Sequence, residues 1–167
     1  MNRAVILLGS NLGDLSQNLL KAISLISEQS GKIGKTSLIY ETEPWGENDQ
    51  PVYYNQVVEL YTSLSAMVLM LNLLNHEKKI GRVRTQKWAP RIIDLDILYF
   101  NDEVINDAKL IIPHPHLHER RFTLVPLSEI FPDMIHPLLK KKNKDLLATL
   151  KDNLRVKALF SETSVKS

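Results

Sequence analysis

The chain has 167 residues, 44% of them hydrophobic and 24% charged, no cysteine, and a formal net charge of +2. A chain of this length buries about 68–70% of its unfolded surface, so one domain over 1–167 is expected to hold together without a disulfide or metal staple. The lack of cysteine excludes disulfides, thiolate catalysis and cysteine-type zinc sites and suits a reducing, cytoplasmic setting; the small net charge argues against a general nucleic-acid binder, and no apolar run approaches the ~18 residues of a membrane span.

The first apolar run, Ala4 to Leu8, reads as a buried strand, and "GSNLGD" after it as a turn. Gly9 and Gly13 are too closely spaced for a phosphate-cradling loop and are followed by Asp14, so the turn reading is preferred. Asp14 begins a helix as its cap, with Gln17 at the capping-box position. Leu15, Leu19, Ala22, Ile23 and Ile26 form its apolar stripe, and Gly31 follows its end. Alternation marks strands around Lys35–Tyr40 and Tyr53–Tyr61, joined by the long loop "ETEPWGENDQPV".

A second helix spans Ser65 to Ile80 and finishes on Lys78, Lys79 and Gly81. From Lys78 to Arg91 six basic residues occur with no acidic one, and this segment runs into the strand "RIIDLDILYF" and a hairpin turn, "NDEVIN". A proline-rich loop then leads to a helix, "LLKKKNKDLLATL" reads as a surface helix, and the tail from about 153 is expected to be peripheral and frayed at its end. The order strand, helix, strand, strand, helix, strand predicts an α+β, ferredoxin-like βαββαβ core with helices packed on an antiparallel sheet and helical additions at the C-terminus.

Residues i and i+2 of a strand share a face, so Asp94 and Asp96 point one way while Ile93, Leu95 and Ile97 point the other. Two carboxylates about 7 Å apart on an apolar strand require a positive neighbour. One solution is structural, with one aspartate paired to Arg91 and the other solvated. The other is Mg²⁺, which takes one or two carboxylates and leaves its remaining positions to water and phosphate. Arg82, Arg84, Lys87 and Arg91 lie beyond Gly81 around Trp88 and suit bidentate phosphate contacts. The triplet His114, His116 and His118 is interrupted by Pro115 and lacks a cysteine partner, which disfavours zinc. Tyr53 and Asn55 share a face, offering a stacking ring and an amide that can read the edge of a heterocycle.

In order along the chain, "LLGSNLGD", "YETEPWG", "QPVYYNQVVEL", "GRVRTQKWAPRIIDLDILYF" and "IPHPHLHERRFTLVPLSEI" resemble the 6-hydroxymethyl-7,8-dihydropterin pyrophosphokinase family of folate biosynthesis, over roughly 4–137. The resemblance implies a ferredoxin-like fold and transfer of pyrophosphate from ATP to the pterin hydroxymethyl group, releasing AMP. It implies that Asp94 and Asp96 ligate two Mg²⁺ ions and that Arg82 and Arg91 act on the transferring group. Glu77, Arg84, Lys87, Trp88, Lys109, His114 and Arg120 fall on its ATP side. Thr42, Trp45, Tyr53, Asn55 and Phe122 fall in its pterin pocket, with Tyr53 and Phe122 on opposite ring faces. The expected partners are ATP and the pterin, with no nucleic acid and no membrane, acting on a cytoplasmic monomer. Two rival readings stand beside it: a binding domain for RNA or a regulatory nucleotide, which has no need of Asp94 or Asp96, and a kinase that moves one phosphoryl group.

Overall fold

Periodicity sorts the apolar residues onto two sides of one sheet. The computed structural model describes residues 1–43, 51–83 and 90–159. The elements run β1 (Asn2–Ser10), α1 (Leu15–Gln29), β2 (Lys32–Thr36), β3 (Ile39–Thr42), β4 (Tyr53–Thr62), α2 (Ala66–Ile80), β5 (Asp94–Phe100), β6 (Ile105–Asn106), β7 (Ile111–Ile112), α3 (Arg121–Ile130), α4 (Asn143–Ala148) and β8 (Val156–Leu159). The main sheet is ordered β5-β1-β4-β3-β8, with β2 also paired to β4, and every pairing is antiparallel. Counting β2 and β3 as one broken strand gives the expected ferredoxin-like arrangement.

Ala4, Ile6 and Leu8 of β1 face α1 and α2, where they bury Leu19, Ala22, Ile26, Leu69 and Leu73. Val5, Leu7 and Val57 face the opposite side, under Leu124 and Leu127 of α3 and Leu146 of α4. Fully burying side chains of this size contributes about 1.5–3 kcal/mol each. Both long helices start on side-chain caps, Asp14 accepting from the Gln17 amide at 3.2 Å and Ser65 from the Val68 amide at 3.3 Å, each worth about 1 kcal/mol. Gly81 ends α2 at φ 116°, a left-handed conformation that disfavours any side chain.

Several expected boundaries move. The Lys35–Tyr40 strand is divided between β2 and β3 because Ser37 leaves the ladder: its hydroxyl accepts from the Val57 amide at 2.9 Å and its amide donates to the Val57 carbonyl at 2.8 Å. The strand carrying the aspartates begins at Asp94 rather than Arg91, because residues 91 and 92 bond to Asn11 and to Ser10 at the end of β1. A register shift against Val5 and Ile6 puts Leu98 and Tyr99 both on the α3 side. Residues 115 and 116 form a turn that leads into a short 3-10 segment, Leu117–Glu119, so the three histidines do not share a strand face. The surface helix expected from Lys140 shrinks to α4, whose Asn143 is buried and accepts from the Tyr99 hydroxyl at 2.7 Å. The tail, expected to be peripheral, contributes β8 along the edge of β3.

Candidate active site

The site lies on the α3 side of the sheet, where strand register brings its residues together. Gly9 of β1 pairs with Asn55 on one neighbour and Asp94 on the other, and Leu7 pairs with Asp96. A Cβ at Gly9 would come within 2.9 Å of Asn55 Oδ1, so the glycine makes the floor of a hollow that no larger residue leaves open. Thr42 lies opposite Tyr53 on β3. Asn55 Nδ2 donates to Thr42 Oγ1 at 2.7 Å in a buried bond that fixes which way the amide faces. Tyr53, Asn55, Thr42, Phe122, Arg91 and Arg120 line this pocket together with both aspartates. Burial raises the Tyr53 hydroxyl above its ordinary value, so it is neutral and a hydrogen-bond donor. The Arg120 guanidinium sits 5.6 Å from the Phe122 ring centre.

A second cavity of about 690 Å³ opens on the other side of β5, between the end of α2 and residues 108–115. Met70, Leu73 and Leu74 give it an apolar wall, and Arg82, Lys78 and Lys109 give it positive charge. That size and mixture fit a nucleotide. Asp96 lines both cavities, so it stands in the wall between a small pocket and a nucleotide-sized cleft.

The positive neighbours that the paired aspartates require are arginines. Arg82 Nη1 lies 2.7 Å from Asp94 Oδ1, and Arg91 Nη1 lies 2.9 Å from Asp94 Oδ2. Asp96 has less relief. Burial first, then Asp94 and Glu77, push its carboxyl well above the usual range against the opposing pull of Arg120 and Arg91. A carboxylate so placed gains from a cation. Among the described residues no group of three or more His, Cys, Asp or Glu side chains is arranged to hold a metal. Two carboxylates beside a nucleotide-sized cleft match Mg²⁺, which completes its shell from water and substrate; they do not match a closed zinc cage.

Glu77, which the resemblance assigns to the ATP side, borders this cleft with its carboxylate engaged by the protein. Oε1 is 2.8 Å from Arg82 Nη1 and Oε2 accepts from the Leu95 amide at 2.8 Å. It is a post for Arg82 and for β5. His114 lies in the cleft wall; its Nδ1 accepts from the His116 amide at 3.2 Å, which leaves the proton on Nε2. Burial, then Arg120 and His116, bring its pKa down to about 4, so at neutral pH it is an uncharged donor. With the cleft taken as the ATP side that the resemblance implies, His114→Ala is expected to weaken ATP binding by about tenfold, the worth of one hydrogen bond to a charged group, and equally at pH 6 and pH 8. Calorimetric titration at the two pH values checks this, and a loss confined to pH 6 would show a charged imidazole instead. Lys109 lines the same cleft from the loop before β7, its amide bonded to Asp107 Oδ1 at 2.9 Å. Trp45, Arg84, Lys87 and Trp88 lie outside the described residues.

The sequence reading passed over Gly9, Ser10 and Asn11 as plain turn residues. Their one visible signal is that polar Ser10 and Asn11 follow an apolar strand directly, where only a distant partner makes their burial tolerable.

The sequence model for 7,8-dihydro-6-hydroxymethylpterin-pyrophosphokinase (HPPK) matches residues 5–132. The chain belongs to this family. A curated relative from Aquifex aeolicus, 2-amino-4-hydroxy-6-hydroxymethyldihydropteridine pyrophosphokinase, is 44% identical over 138 residues, covering 83% of this chain and 86% of the relative. Folic acid synthesis protein fol1 of Pneumocystis carinii is 45% identical over 138 residues, covering 82% of this chain and 19% of fol1. The crystal structure of Plasmodium falciparum HPPK-DHPS wild type with pteroate aligns with a TM-score of 0.72 at 19% identity, over 88% of this chain and 44% of that one. The chain thus spans about a fifth of fol1 and under half of the Plasmodium protein, and the latter likeness speaks to the fold. No helix among the described residues is long and apolar enough to cross a membrane.

Proposed function

We propose that this protein transfers the pyrophosphoryl group of ATP to the hydroxymethyl oxygen of 6-hydroxymethyl-7,8-dihydropterin, releasing AMP, as a step of tetrahydrofolate biosynthesis. The observation that carries this reading is Asp96 in the shared wall of the two cavities, with Asp94 and two arginines beside it. A group transferred between ligands in those cavities passes this carboxylate. Family membership supplies the substrates.

In this reading the pterin ring lies between Tyr53 and Phe122, with its edge against Asn55 and Thr42. The amide orientation set by Thr42 selects donors over acceptors on that edge. Asn55→Ala removes the reader and leaves ring donors unpaired, which costs about 1–3 kcal/mol; pterin fluorescence titration is expected to show affinity down by one to two orders of magnitude with ATP binding unchanged. Equal pterin affinity in the variant would place the ring elsewhere.

Asp94 and Asp96 are the residues that would hold Mg²⁺. When bound, the metal would neutralise phosphate charge and lower the pKa of the attacking hydroxyl. The chain's own groups do the rest. Arg82 and Arg91, held against Asp94, present guanidinium groups where charge develops on the transferring phosphates. His114 offers its Nε2 proton, and Arg120, which the resemblance assigns to the ATP side, lines the smaller pocket and adds charge there. The resemblance extends phosphate contacts to Arg84 and Lys87, a closing role to Trp88 and a pterin contact to Trp45.

Mixing protein, Mg²⁺, ATP and the pterin and counting nucleotide products tests the reading. One AMP per pterin consumed is expected. ADP would make it a single-phosphoryl kinase, and binding without turnover would leave a nucleotide-binding module.

A further inference from the structure

We infer that Asn11 is a positioning residue for this reaction: by clamping the backbone of Arg91, it sets the point from which the Arg91 guanidinium reaches the transferring phosphates. The inference rests on the pyrophosphoryl-transfer reading above.

The clamp is a closed pair of bonds across 80 residues of chain. The Arg91 amide donates to Asn11 Oδ1 at 2.6 Å, and the Asn11 amide donates to the Arg91 carbonyl at 3.0 Å. The next residue is held as well, since the Ser10 hydroxyl donates to the Ile92 carbonyl. Asn18 on the first turns of α1 braces the arrangement, its Nδ2 donating to Ser10 Oγ at 3.1 Å and to the Leu12 carbonyl at 2.9 Å. Ser10, Asn11 and Asn18 are 0, 2 and 7% exposed, so water competes little for these groups.

Position gives the clamp its consequence. Arg91 precedes β5, so its backbone is held by this turn rather than by strand pairing, while Asp94 is held by its pairing with Gly9, two residues before Asn11. One end of β1 thereby fixes both members of the Arg91–Asp94 pair. An ordinary turn asparagine bonds within its own turn. This one spends its acceptor on a residue bordering the pterin pocket, where a shift of about 1 Å is expected to cost on the order of a hundredfold in rate.

The test is a kinetic double-mutant cycle with an exchange measurement. Asn11→Leu keeps size and removes the acceptor. It is expected to lower kcat by about 30–100-fold, leave the KM for pterin within about twofold, and speed deuterium exchange of the Arg91 amide at least about tenfold. Asn11→Asp retains an acceptor oxygen and is expected to keep the slow exchange. In an Arg91→Ala background, Asn11→Leu should cost less than about threefold more, because its effect runs through the missing side chain. The same fold-loss in both backgrounds, or unchanged exchange at Arg91, overturns the inference even if Asn11→Leu is active or poorly folded. Wild-type protein that forms no AMP overturns the reaction reading and this inference with it; wild-type turnover with additive losses overturns this inference alone.

Discussion

Asp96→Asn is expected to reduce AMP formation by about a thousandfold, the scale of losing a charge-organising group at a reacting centre, while making the metal-free protein more stable. The two effects have one cause. The Asp96 carboxyl is pushed well above its ordinary pKa by burial, Asp94 and Glu77. An acid whose pKa is higher in the folded state binds more protons folded than unfolded, so stability falls as pH rises from the unfolded value near ~4 up to the folded value, and stays lowered above it. In chelator at neutral pH the wild type therefore carries that penalty, and the asparagine does not. A gain of about 1 kcal/mol corresponds to a rise of about 2–4 °C in Tm for a chain of this size. His114 and His136, both brought down to about 4 by burial first, act oppositely, losing stability as pH falls from the usual histidine range. Both proteins contain them, so the difference between the two Tm–pH curves isolates Asp96. With Mg²⁺ and a non-hydrolysable ATP analogue the order is expected to reverse, since the wild type gains a cation at the carboxylate and the variant has none to offer. Parallel Tm–pH curves in chelator, or normal AMP formation by the variant, would remove Asp96 from the centre of the site.

Local rules reach the parts of this molecule that local sequence decides. The stripe on α1, the cap Asp14 and the Gly81 that ends α2 follow from spacing and side-chain chemistry within one helix, and they stand where the sequence places them; Ser65, read as the first helical residue, is instead the cap of α2. Alternation likewise puts Asp94 and Asp96 on one face, and Tyr53 with Asn55 on another stretch of that same face. What the sequence does not display is which strands are neighbours. Gly9 touches the site because β1 lies between β4 and β5, and that order comes from how two helices cover one face of the sheet. The Asn11–Arg91 clamp has the same origin, as do the break at Ser37 and the pairing of β8, a four-residue strand too short to show a periodicity of its own. The sequence offers Arg91 as a partner for one of the two aspartates without saying which; Arg82 reaches Asp94 from beyond Gly81, and that requires the end of α2 to lie against the start of β5.

That approach makes Arg82 the residue whose loss is felt in both fold and function. Its Nη1 contacts Glu77 and Asp94, and the three side chains are 7, 3 and 22% exposed. Burial alone would disfavour the guanidinium charge; Asp94 and Glu77 outweigh it and hold Arg82 above its ordinary pKa. Arg82→Ala therefore takes an ion-pair partner from the buried Glu77 carboxylate, at a cost of about 3–5 kcal/mol, which predicts a fall in Tm of about 10 °C. AMP formation should drop a further hundredfold or more per folded molecule, because a charge-stabilising donor is gone. A second substitution separates the two losses. Glu77→Gln in the Arg82→Ala background removes the buried charge that faced Arg82 and keeps a side chain that can still accept from Leu95, so most of the lost Tm should return while turnover stays low. Arg82→Lys adds a finer test: one ammonium can bridge the two carboxylates that Nη1 bridges now, but it lacks the planar fork for phosphate, so stability should recover more than kcat. If Tm and kcat instead recover together in either variant, Arg82 serves the fold alone and the charge on the transferring group is met by Arg91.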